Sequence, residues 1–175
     1  MRRGLALFAV VILVLAGLGL YGFWPYLTPT AGPLPTPDLI RVDKSERRMQ
    51  LLRNGEVIRS YRISLGSNPQ GHKQREGDGR TPEGSYRIDW RNPRSKFHKS
   101  LHISYPNAQD RRAARSLGVP PGGAIMIHGL PNGWGWAAPF LAPWNWTDGC
   151  IAVSDAEMDE IWNAVRDGTP IEIQP

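Results

Sequence analysis

Cys150 is the only cysteine in the 175-residue chain, so it has no internal disulfide partner and needs another explanation. It stands in Thr147-Asp148-Gly149-Cys150-Ile151-Ala152-Val153-Ser154, 22 positions after His128. His128 closes an apolar run, Ala124-Ile125-Met126-Ile127, and Gly129 after it lets the chain turn. Cysteine chemistry needs a thiolate, a base within reach and donors that hold an oxyanion. Gly149 presents no side chain, so backbone amides can approach a substrate there, and the amides of Gly149 and Cys150 are the candidate oxyanion donors. His128 is the candidate base. Taken singly, each residue has a blander reading: a free cysteine often packs as an inert core residue, and a histidine often serves as a satisfied structural group. Zinc held by His128 and Cys150 would need a further ligand that the sequence does not place, so neither metal nor cofactor is expected.

The elements that must position these residues are short strands. Leu39–Asp43, Arg48–Arg53 and Glu56–Leu65 read as strands, the last two joined by Asn54-Gly55, a strong hairpin turn. Ser85–Trp90, entered through Thr81-Pro82-Glu83-Gly84, and Ser100–Ser104 follow, and Pro170–Ile173 closes the chain. Two helices are expected. Asn107 caps the first, which stops at Gly118. Ser154-x-x-Glu157 is a capping box for the second, whose stripe is Met158, Ile161, Trp162 and Val165. Nineteen glycines and sixteen prolines suit a loop-rich, mainly β fold. Between His128 and Cys150 lies an insert carrying Trp134, Trp136, Trp144 and Trp146. It is either a lid that stacks on glycan or excludes water, or a satellite core beneath a long loop.

The net charge of +5 suits an anionic partner or a nearby membrane, but it is dispersed, and no nucleic-acid partner is expected. After Arg2-Arg3, residues 4–27 carry no charge, enough to cross about 30 Å of hydrocarbon. Tyr21, Phe23, Trp24 and Tyr26 gather at its far end. The expectation is a single-pass anchor with the domain on the periplasmic side, or export after signal cleavage. Residues 28–38 form a Pro-rich linker, and the domain runs over 39–175.

His128-Gly129, a Trp/Pro-rich insert and Thr147-x-Gly149-Cys150-Ile151 together resemble the L,D-transpeptidase (YkuD-type) catalytic domain of bacterial cell-wall enzymes. The hairpin from Lys44 to Leu65, Gly71-His72-Lys73, Thr81-Pro82-Glu83-Gly84 and Ser100–Asn107 are similar to the branch that releases Braun's lipoprotein from peptidoglycan. The resemblance implies a mainly β (α+β) sandwich or barrel with two short helices behind an N-terminal transmembrane helix. It implies that Cys150 attacks the carbonyl between meso-diaminopimelate and the terminal D-alanine of a tetrapeptide stem, with His128 as base oriented by the Gly129 carbonyl. The thioester then passes to an amine, or to water in a carboxypeptidase or amide hydrolase. It also implies acylation of the cysteine by carbapenems. Two positions depart from the family pattern: Asp148 stands where histidine is common, and Ala152 where arginine is, which removes a bidentate clamp. Asp148, His102, Trp134, Trp136, Trp146 and Thr147 are the candidate contacts to substrate, and peptidoglycan stem peptides and the inner membrane are the expected partners. A wall-binding module with a structural thiol is the reading of another class.

Overall fold

The computed structural model describes residues 34–175. The expected anchor over 1–27 and most of the linker lie outside the described residues. Among the described residues no helix is long and apolar enough to cross a membrane.

The chain opens with β1 (Leu39–Asp43), β2 (Arg48–Arg53) and β3 (Glu56–Arg62), an antiparallel meander. Asn54 and Gly55 both adopt positive φ, 54° and 80°, the conformation a right-twisting hairpin requires. Then come β4 (Gly84–Asn92), β5 (Ser100–Ile103), helix α1 (Ala108–Ser116), β6 (Met126–His128), helix α2 (Ala138–Leu141), β7 (Ile151–Ala152), helix α3 (Asp155–Ala164) and β8 (Pro170–Gln174). The strands form one sheet in the order β3-β2-β1-β8-β4-β5-β6-β7. Ser64, beyond the end of β3, exchanges both backbone hydrogen bonds with Ala152 at the opposite edge, N to O 2.9 and 2.8 Å. The sheet therefore curls until the segment after β3 reaches β7, and the Ser64–Ala152 and Gly66–Thr147 bridges bring residues 64–67 alongside the Cys150 loop.

The concave face holds the core: Ile40, Val42, Leu51, Ile88, Leu101, Ile103, Ile127, Ile151, Ile171 and Ile173 are buried, with Met158 and Ile161 of α3 packed among them. Both expected helices form with their expected caps. Asn107 Oδ1 accepts from the Gln109 and Asp110 amides, and Ser154 Oγ accepts from Glu157. The third, α2, departs from the two-helix expectation. It is four residues long inside the Trp-rich insert, too short to show a period, and it begins at Ala138-Pro139, where proline suits a first turn. Arg91, His98 and Lys99 are engaged by α3 and the residue after it. Arg91 donates to the Trp162 and Val165 carbonyls, and Lys99 and His98 meet Asp159 at 2.7 Å.

Candidate active site

β6 and β7 are parallel, with Ile127 opposite Ile151 and His128 opposite Ala152. Continued by one residue, this register sets Cys150 beside Met126. Ile127 and Ile151 enter the core, so their neighbours project from the other face. Cys150 and His128 thus share a face, one strand and two residues apart, about 8 Å between Cα atoms at normal strand spacing. The pair distant in sequence lies on one face of neighbouring strands. The Cys150 side chain is partly buried rather than sealed, and the thiol's own hydrogen bond goes to Ala124 rather than to His128.

His128 is 2% exposed. Its Nδ1 lies 2.6 Å from the Gly129 carbonyl oxygen. A carbonyl only accepts, so Nδ1 carries the proton and the lone pair of the neutral ring sits on Nε2. Phe97 lies over the imidazole, centroids 4.1 Å apart, and Trp146 meets it edge-on at 5.9 Å. Gly129 has to be glycine here: a Cβ would stand 2.7 Å from Asp155 Oδ1 and 2.9 Å from the His98 carbonyl. Asp155, in the first turn of α3, accepts from the Leu130 amide at 2.8 Å and so pins the turn that follows His128. Burial pushes the imidazole below its ordinary value of 6.5, against the opposing bond to Gly129.

One hydroxyl closes the Cys150 loop on itself. Thr147, buried, accepts from the Gly149 amide at 3.1 Å and donates to the Cys150 carbonyl at 2.7 Å. The Gly149 amide is therefore already used within the loop, whereas the Cys150 amide has no protein acceptor among the described residues. Gly149 adopts φ +126°, and a Cβ there would stand 2.5 Å from the Arg80 carbonyl. The loop is sewn to residues 64–67 by Thr147 N to Leu65 O, 3.2 Å, Ser67 N to Thr147 O, 2.8 Å, and Leu65 N to Asn145 Oδ1, 3.1 Å. The thiol donates weakly to the Ala124 carbonyl, 3.5 Å, and Ala124 is held at φ +53°, uncommon for a residue with a Cβ. Burial pushes the Cys150 thiol above its ordinary value of 9.0, and Asp148 adds to the rise. The Met126 backbone amide and Lys73 oppose it. Both shifts run toward the uncharged forms, imidazole and thiol.

The remaining candidates separate. Thr147 belongs to the loop's own scaffold. Asp148 is exposed at the tip, as a turn residue would be. Trp146 packs on His128, its indole N–H buried without a protein acceptor among the described residues. Trp134, Trp136 and Trp144 are 53%, 72% and 68% exposed, too open for a satellite core. His102 sits on the same sheet face, in contact with Asp89 and Trp90. Sequence reasoning missed Phe97, Asp155 and the αL residue Ala124. Only Asp155 left a trace there, as the residue after the Ser154 cap.

A family model described as the L,D-transpeptidase catalytic domain (YkuD) matches residues 37–173. The chain belongs to this family. It is 33% identical over 177 residues to YafK of Escherichia coli strain K12, whose name marks its assignment as an L,D-transpeptidase as provisional. That match takes in 93% of this chain and 64% of the relative, so the chain spans less than two thirds of the curated relatives it matches. The helical cell shape determining protein Pgp2 from Campylobacter jejuni superposes with a TM-score of 0.58 at 23% identity, over 87% of this chain and 54% of that one. An L,D-transpeptidase from Mycobacterium smegmatis gives 0.52 at 17% identity, over 78% and 58%. At these identities the two structures establish the fold alone: a mainly β, curled L,D-transpeptidase domain.

Proposed function

We propose that this L,D-transpeptidase domain is a cysteine acyltransferase that acts on peptidoglycan tetrapeptide stems from the periplasmic face of the inner membrane. The observation that carries the reading is the bond from His128 Nδ1–H to the Gly129 carbonyl, which leaves an imidazole lone pair on the face that bears a half-exposed Cys150. With both groups uncharged, Nε2 takes the thiol proton as sulfur attacks, and the ion pair forms along the reaction rather than before it. The unspent Cys150 amide is the nearest donor to the developing oxyanion. Collapse releases D-alanine with the proton held by His128 and leaves a thioester. An amine then attacks the thioester, forms the new amide and returns the thiol.

A second reading ends in water. Trp134, Trp136 and Trp144 stand largely in solvent, which favours access of water to the thioester and hence an L,D-carboxypeptidase or an amide hydrolase. Incubation with purified tetrapeptide muropeptides separates the two. Cross-linked dimers with free D-alanine are expected of the transferase. Tripeptide monomers alone would replace it with the hydrolase. An unchanged muropeptide profile would favour the inert, wall-binding module.

A further inference from the structure

β4 carries one residue more than β5 opposite it: Ile88 pairs with Ile103 and Trp90 with His102, so Asp89 forms a bulge. In a regular strand Asp89 and Trp90 would face opposite ways; a bulge re-aims side chains, and here both reach His102. Asp89 Oδ1 lies 2.6 Å from His102 Nδ1, and the Trp90 ring stacks on the imidazole, centroids 4.9 Å apart at 18°. A carboxylate only accepts, so Nδ1 carries the shared proton. Nε2 has no protein partner among the described residues.

Leu101 and Ile103 enter the core, so His102 projects from the opposite face of β5. It pairs with Met126, and Met126 lies beside Cys150. His102, Met126 and Cys150 therefore form one row across three strands, about 10 Å from end to end, and Ser100, His128 and Ala152 form the next. Cys150 has two oriented imidazoles on its face, one set by a backbone carbonyl and one by a carboxylate. An ion-pairing carboxylate oxygen, an aromatic face and a base are what a primary ammonium needs in order to bind and lose a proton.

We propose that His102, oriented by Asp89 and Trp90, receives the ammonium group of the acceptor peptide and deprotonates it for attack on the Cys150 thioester. The assignment rests on the acyl-transfer reading above. The ammonium gives one proton to His102 Nε2, which releases it to solvent. The freed lone pair forms the C–N bond at the thioester carbonyl, and the C–S bond breaks. The second proton leaves nitrogen through His128 to the departing sulfur, which restores the thiol. His102 touches the acceptor; Asp89 is a positioning residue.

The test uses the full chain, tetrapeptide muropeptide and the variants His102→Gln and Asp89→Asn. Thioester formation is followed by intact mass and dimer formation by chromatography. For His102→Gln the ratio of dimer formation to thioester formation is expected to fall about 100-fold, the scale of general-base catalysis, with a smaller fall for Asp89→Asn. Hydroxylamine, a nucleophile already neutral at pH 7, should discharge the variant thioester as fast as that of the unsubstituted chain. Unchanged dimer formation, an equal loss of both steps, or no rescue by hydroxylamine would overturn the assignment. Should His102→Gln fail to fold, the same readings on Asp89→Asn decide. Thioester discharged by water alone in the unsubstituted chain removes this assignment and leaves the acylating cysteine. No thioester at all removes both.

Discussion

Thr147→Val removes a hydroxyl from the Cys150 loop at nearly constant volume. The hydroxyl accepts from the Gly149 amide and donates to the Cys150 carbonyl, and the side chain is buried. Valine leaves a donor and an acceptor unpaired away from water, each costing about 1–3 kcal/mol, so the loss is about 3 kcal/mol in total. A domain of about 140 residues unfolds with an entropy of about 0.3 kcal/mol/K, so Tm should fall by about 10 °C. The variant is expected to remain folded at about 25 °C, and there the Gly149 amide and the Cys150 carbonyl, which flank the Cys150 amide, are no longer clasped. Carbapenem acylation, followed by intact mass, should slow about tenfold, the cost of losing about 1.4 kcal/mol of orientation. Thr147→Ser keeps both hydrogen bonds and should behave as the unsubstituted chain. A valine variant within about 2 °C of the parent that acylates at the parental rate would show that the hydroxyl does not build the loop.

Gly149→Ala drives a Cβ to 2.5 Å from the Arg80 carbonyl at φ +126°, so acylation should be abolished and Tm lowered, as read by the same mass assay and by thermal denaturation. The acylation rate should fall as pH drops through the lowered histidine value, which lies below 6.5, because Nε2 then holds a proton, and should rise as pH climbs through the raised thiol value, above 9.0, as thiolate forms. Stability follows the same two groups. The lowered imidazole contributes above 6.5 and loses that contribution as pH falls through its folded value. The raised thiol contributes below 9.0 and loses it as pH rises through its own. Denaturant midpoints across pH should show both edges, and His128→Gln should flatten the acid edge. Replacing Trp134, Trp136 and Trp144 together by alanine should leave Tm nearly unchanged, since all three are exposed. If the insert closes over substrate, muropeptide turnover should drop at least about tenfold, and unaltered kinetics would end the lid reading.

The strands and both capped helices were legible because each has a local cause: Asn54-Gly55 for the hairpin, Asn107 for α1, and Ser154 with Glu157 for α3. Cys150 and His128 stood out as candidates from residue types and turn glycines, while the parallel β6–β7 register that sets them on one face left no local mark. Curling of the sheet was not, because the Ser64–Ala152 bridge joins residues 88 positions apart with nothing local to mark it. The Gly149 amide looked free in sequence, yet the neighbouring Thr147 hydroxyl takes it. Phe97 and Asp155 act on His128 and its turn through tertiary contacts alone. Asp89 reaches His102 only because the strand bulges, and a bulge leaves no clear period to read.

The central claim is that Cys150 sulfur takes an acyl group as His128 takes its proton. Intact mass after carbapenem treatment tests it most directly: one adduct on the unsubstituted chain, none on Cys150→Ala, and acylation slowed at least about 100-fold in His128→Ala. An adduct that persists without Cys150, or a rate indifferent to His128, would contradict the account.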